Sequence, residues 1–311
     1  MFEIKGKKIW VAGHSGLVGA ALVRRLQDSG CTILTASHAE LDLTRQAETE
    51  AWVCEHKPDG VILAAAHVGG VYANNTYPAD FIYNNLAIAQ NVIEASYRTN
   101  VEKLLFLGSS CIYPKSAPNP ISEDMLLSDS LESTNEPYAI AKIAGIKLCE
   151  SYRRQYGCDF ISAMPCSLYG QGDTYHLENS HVIPALMMKI HHAKKAAMPS
   201  VEIWGSGTPR REFLHVDDLA DGLVYLFQNY SDLQHVNIGA GYDITIKTLA
   251  ETICEVVDYT GALSFNTQKL DGVMQKLMDC TKMRSMGWSP SIEFQNGLML
   301  AYKDYLSRYE S

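Results

Sequence analysis

The chain has 311 residues, 47% hydrophobic and 20% charged, a balance that supplies a core for one large domain or two unequal ones and excludes disorder or a fibrous repeat. Its 26 lysines and arginines against 35 aspartates and glutamates leave a formal charge of -9, which excludes a chain-wide basic footprint for nucleic acid.

The opening segment, MFEIKGKKIWVAG, sets three lysines beside a short apolar run and has neither the apolar length nor the cleavage pattern of a signal peptide. No apolar stretch reaches membrane-spanning length. From there, short aliphatic runs alternate with amphipathic segments: KKIWVAG, then LVGAALVRRLQDSG, then CTILTAS, then a polar helical stretch to His56, then GVILAAA. A helix over 79–97 leads into VEKLLFLGSS, and one over 138–156 into CDFISAMP, so roughly five strands are expected by Pro165. That alternation predicts βαβ units feeding a parallel sheet, an α/β fold of the doubly wound Rossmann type.

Beyond Pro165 the pattern loosens into a loop over 167–180, a helix over 181–195, a strand over 201–204 and a loop over 205–213. A helix over 216–228, a strand over 235–238, and helices over 246–257 and 292–305 follow. The expected organisation is a nucleotide-binding domain over 1–166, to which segments near 205–240 return, and a smaller α/β substrate-binding region over 167–311. The eight cysteines (Cys31, Cys54, Cys111, Cys149, Cys158, Cys166, Cys254 and Cys280) form no CxxC and no metal-like spacing, as expected of reduced thiols in a soluble, cytoplasmic, metal-free protein.

Gly13, Gly16 and Gly19 form a GxxGxxG directly after the first strand, with His14, Ser15, Leu17 and Val18 between them. Glycines there allow a tight turn and bring a pyrophosphate against the free N–H groups of a helix start. Folds of this kind that prefer NAD end the second strand in an acid; here the run ends in Ser37 and His38, which points to NADP(H), with Ser15 and His38 near the 2′-phosphate. Ser109 follows the fourth strand, and Tyr138 and Lys142 lie four apart, on one face of a helix. In that arrangement an ammonium lowers a phenol's pKa and holds the cofactor ribose while Tyr138 and Ser109 address a carbonyl oxygen.

With these motifs the chain resembles the extended short-chain dehydrogenase/reductases. Within that superfamily it is similar to the GDP-L-fucose synthases, NADPH-dependent 3,5-epimerase/4-reductases of GDP-4-keto-6-deoxy-D-mannose. The likeness runs through GHSGLVG, LAAAHVGG, ANNTYPADFIYNN, KLLFLGSSCIYP, TNEPYAIAKIAGIKLCESYRRQYG, NSHVIPAL and VEIWGSGTPRREFLHVDDLA, nearly the whole chain. It implies that Cys111 and His181 are the epimerase pair; standing alone, they read as a small core residue and a polar helix start. It also implies cofactor contacts at Leu107, Gly108, Ser110, Pro165, Cys166, Ser167, Leu168 and His181, and contacts to the nucleotide sugar from Lys189, Trp204, Arg211 and Asp271. A homodimer through the helices over 79–97 and 138–156 is a further implication. Two departures stand out. Ser15 and His38 replace arginines common in the family, and LDGVMQKLMD replaces a loop of the form PDGTPRKLLD, so that Val273, Met274 and Gln275 stand where small, polar and basic residues are usual. The second departure leaves a related GDP-4-keto-deoxysugar, leading to GDP-L-colitose or a 6-deoxy-heptose product, as the alternative substrate.

Overall fold

Uninterrupted aliphatic runs form the centre of the molecule; the computed structural model describes residues 1–176, 180–269 and 271–310. In chain order the first half comprises β1 (Lys8–Ala12), α1 (Leu17–Leu26), β2 (Thr32–Leu34), α2 (Gln46–His56), β3 (Gly60–Leu63), α3 (Val71–Thr76), α4 (Pro78–Arg98), β4 (Lys103–Leu107), α5 (Glu136–Tyr156) and β5 (Asp159–Pro165). Then come β6 (Ser167–Tyr169), α6 (Val182–Lys195), β7 (Ser200–Trp204), β8 (Arg210–Arg211), β9 (Phe213–His215), α7 (Val216–Asn229) and β10 (Val236–Ile238). The chain closes with β11 (Ile244–Thr245), α8 (Ile246–Val257), β12 (Ala262–Asn266), β13 (Gln275–Lys276), α9 (Thr281–Ser285) and α10 (Phe294–Tyr309).

Six strands form one sheet in the order β10-β5-β4-β3-β1-β2, every pairing parallel. Every residue of β3 and β4 is buried, as required of a sheet with helices on both faces. The α/β, doubly wound architecture is the one the alternation predicts. Beyond β1 the chain goes first to β2 on one side and then to β3 on the other, so the carboxyl ends of β1 and β3 diverge and open a crevice where such folds bind ligands. A second core, built around Met187, Ile190, Leu249, Ile253 and Leu298, joins α6, α8 and α10 beside the sheet.

The expected loop over 167–180 begins with a strand, β6, that pairs in parallel with β9, and the expected loop over 205–213 contains β8. β12 matches no expected element and pairs with β7. These pieces carry little periodicity of their own and exist through partners distant in sequence. Among the described residues no helix is long and apolar enough to cross a membrane.

At the amino end of the sheet, Lys103 is 1% exposed and donates to Asp159 Oδ2 (2.7 Å) and the Tyr230 carbonyl (2.5 Å). Asp159 also accepts from Arg153 (2.7 Å) and Ser231 (2.8 Å), so one carboxylate joins β4, β5, α5 and the end of α7. Asp159→Ala would leave the Lys103 ammonium buried without its counter-charge; equilibrium urea denaturation should show a loss of about 3 kcal/mol or more.

Candidate active site

The turn after β1 requires glycine for steric reasons. Gly13 has φ +90°, and a β-carbon there would lie 2.6 Å from the Ala65 backbone; at Gly19 it would lie 2.0 Å from the Gly13 carbonyl oxygen. Gly16 caps α1 without a side-chain hydrogen bond, and the first turn of α1 has no acid, so its donors and the positive end of its dipole remain for an anion. Ser15, Leu17, Val18 and His38 line the cleft beside this turn; His14 is not part of the lining, and its Nδ1 is buried without a hydrogen-bond partner. The cleft encloses about 1830 Å³. That exceeds the roughly 300–1,000 Å³ of a single small-ligand pocket and leaves room for a dinucleotide and a nucleotide sugar together.

Leu107, Gly108, Ser109 and Ser110 carry the chain out of β4 along the cleft wall. Ser109 caps the short 3-10 turn Ser110–Ile112 by accepting from the Cys111 N–H (3.3 Å), which fixes Cys111 next to Ser109. The Tyr138 hydroxyl lies near Ser109; burial pushes the phenol's pKa up, Cys111 adds to the rise, and Ser109 opposes it. Asn135 donates its amide to Cys111 Sγ at 3.8 Å. Lys142 is 4% exposed, donates to the Leu107 carbonyl (2.7 Å) and is pulled down to about 7 by burial. Its ammonium stands 5.8 Å from the Tyr138 ring centre.

His181 caps the head of α6 and is exposed to the cleft, whose walls hold its pKa below the ordinary imidazole value by desolvation. Pro165, Ser167 and Leu168 also line the cleft. Cys166 does not: it is 7% exposed, and burial pushes its thiol well above the usual range. At the far end, Trp204, Arg211 and Asp271 share the wall. Burial draws Arg211 below its usual pKa, with Asp271 opposing; Asp271 accepts from the Ser206 backbone (2.9 Å) and hydroxyl (2.7 Å), which hold its carboxyl low. Lys189 is not part of the lining; it donates to the Glu202 carbonyl, with its ammonium 5.9 Å from the Trp204 ring, while Lys269 stands 5.2 Å from the same ring. Of the residues expected at the site, His14, Cys166 and Lys189 do not line the cleft.

Residues 9–239 match the model of the NAD dependent epimerase/dehydratase family. The chain belongs to that family. Among its relatives, GDP-L-fucose synthase 1 of Arabidopsis thaliana is 58% identical over 97% of this chain and 94% of its own length. GDP-L-fucose synthase of Escherichia coli strain K12 is 48% identical over 98% of both chains. Among solved structures, a GDP-mannoheptose C4 reductase from Campylobacter jejuni with NADP bound superposes with a TM-score of 0.88 at 41% identity, covering 96% of this chain and 98% of that one. The epimerase/dehydratase match spans nearly all of the six-stranded sheet, from the second residue of β1 through β10, and stops before the loop that carries Asp271 and Val273.

Several polar residues in and beside the cleft carry no sequence signal beyond being polar. Asn85 holds the backbone of His67 through two bonds of 2.9 Å, and Asn74 donates to the Gly69 (2.9 Å) and Gly70 (3.0 Å) carbonyls, so two buried asparagines shape the cleft loop after β3. Glu212 sits between the cleft residues Arg211 and Phe213 and is 2% exposed. It accepts from the Gly241 N–H (2.7 Å) and the Met278 N–H (3.0 Å), joining β8 to the loops after β10 and β13.

Burial pushes the Glu212 carboxyl from 4.5 up to about 7; the two N–H donors and Arg284 pull it down, and Asp243 pushes it up. A carboxyl that keeps its proton longer in the folded chain than in the unfolded one favours the fold at acid pH, and this contribution disappears as pH rises from about 4.5 through about 7. Glu212→Gln should therefore flatten the loss of stability between about pH 5 and about pH 8, by up to about 3 kcal/mol in urea denaturation at the two pH values.

Proposed function

We propose that this chain converts GDP-4-keto-6-deoxy-D-mannose into GDP-L-fucose, by epimerisation at C3 and C5 and reduction at C4 with NADPH. The observation that carries the reading is the meeting of Ser109, Cys111 and Tyr138 around one turn, in a cleft that His181 also lines. The close relatives named GDP-L-fucose synthase support it over nearly the full chain.

A 4-keto group acidifies the protons on C3 and C5. Tyr138 and Ser109 offer hydroxyls to O4, where charge develops on enolisation, and a phenol whose pKa burial raises stays protonated and able to donate. Inversion requires a base on one face of the sugar and an acid on the other. Cys111, after β4, and His181, at the head of α6, come from separate elements and take these two roles, Cys111 as the base and His181 as the acid on the opposite face. For the final step Tyr138 gives its proton to O4. When bound, the reduced nicotinamide supplies the hydride to C4.

The glycine turn fits the cofactor's pyrophosphate. Leu107, Gly108, Ser110, Pro165, Ser167 and Leu168 would wall the cofactor, and Lys142 would hold its ribose. Ser15 and His38, with no acid at the end of β2, suit a 2′-phosphate. Arg211 neutralises the sugar nucleotide's diphosphate, Trp204 presents a flat face, and Asp271 accepts from hydroxyl or ring N–H groups.

One observation favours a second reading. Val273 and Met274 line the cleft, and Met274 is 58% exposed, an apolar lip suited to a related GDP-4-keto-deoxysugar. The protein acts in the cytoplasm as a homodimer through α4 and α5, which pack on each other and leave Tyr83, Ile140 and Tyr156 exposed.

The test is NMR of the product formed with the GDP-4-ketosugar and NADPH in heavy water. Deuterium at both C3 and C5 of GDP-L-fucose is expected; reduction without deuterium would overturn the epimerase roles. Cys111→Ser should abolish incorporation while cofactor binding, read by NADPH fluorescence, stays intact. Tyr138→Phe should slow NADPH oxidation by about 10²–10⁴-fold.

A further inference from the structure

Asparagine is among the best helix caps, because its side-chain oxygen accepts from the N–H groups of the first turn. Asn135 stands at the cap of α5 yet makes no side-chain cap bond. Its backbone is held independently: its N–H donates to the Glu132 carbonyl (3.1 Å), its own carbonyl accepts from Ala139 (2.9 Å), and the Thr134 N–H donates to the Glu132 carboxylate (3.1 Å). The following turn contains Pro137, which has no N–H to cap. The amide is thereby free to turn into the cleft, where it meets Cys111 Sγ at 3.8 Å.

We propose that Asn135 is a positioning residue for Cys111, its amide N–H aiming the sulfur into the cleft and stabilising its proton-deficient form. A thiol is a weak acceptor and a thiolate a strong one, so an N–H donor fixed at the sulfur favours the state that removes a proton from carbon. Ser109 holds the backbone of Cys111 and Asn135 holds its sulfur; the two contacts leave the residue one orientation. The titratable group shown beside it is Tyr138 on α5; Lys115 and Glu132 on the intervening segment and His181 at α6 line the same cleft. Lys142 is directed to Leu107 instead. The proposal deepens the epimerase reading and rests on it for the consequence at the sugar.

The experiment compares the parent chain with Asn135→Ala and Asn135→Asp. Iodoacetamide alkylation is followed across neutral and alkaline pH, with mass spectrometry of the peptide bearing Cys111 separating it from the other thiols. The expected order of alkylation onset is parent lowest, alanine higher, and aspartate highest by about one pH unit or more, since a carboxylate at that place repels a thiolate. Deuterium incorporation should fall about ten-fold or more in the aspartate variant, with NADPH fluorescence titration and the thermal melt unchanged. Identical alkylation profiles in all three proteins would overturn the proposal. So would a lowered melt with an unshifted profile, which would return Asn135 to ordinary helix support. If Cys111→Ser still exchanges deuterium, the epimerase role of Cys111 fails, while the alkylation profiles decide the part played by Asn135 separately.

Discussion

Everything at the site depends on a contact between backbones. Gly19, in the first helix, approaches the Gly13 carbonyl so closely that a β-carbon would sit 2.0 Å away, and Gly13 in turn lies against Ala65 at the end of the neighbouring strand. This seating brings the donors of α1 to the crevice between β1 and β3 and sets the height at which any dinucleotide would lie. The residues after β4, including Ser109 and Cys111, then open onto the same crevice. A methyl group at Gly19 would displace a helix, and with it one wall of the cleft.

Within the cleft, polar groups are positioned by other polar groups more than by apolar packing. Ser109 caps the turn that carries Cys111; Asn85 and Asn74 hold the loop after β3; Glu212 fastens the strand of Arg211 to two loops from the carboxyl-terminal part of the chain. Each arrangement places a donor or acceptor against backbone groups that no regular element satisfies, the condition under which buried polarity costs least. The cleft can therefore be open and rigid together.

The sheet, its order of helices and strands, and the glycine and Tyr-Lys motifs were legible because their signals are local: two periodicities and fixed spacings within one element. β6, β8, β9 and β13 were not, since two or three residues carry no period and these strands arise from partners far along the chain. Side-chain direction was equally hidden. Lys189 and Cys166 occupy cleft-forming segments, yet one ammonium bonds the Glu202 carbonyl and one thiol faces the core. Asn135 reads from sequence as a helix cap, and only the fold shows its amide turned to sulfur.

The outer edge of β5 is covered by β10, a strand supplied only after the chain has passed through β6 to α7. A nascent chain that has completed the five preceding strands still exposes the donors and acceptors of β5, and must emerge as far as Ile238 before they pair. During synthesis the sheet thus keeps an open edge until β6 through α7 have left the ribosome, while α8 and α10 of the second core are still to be made.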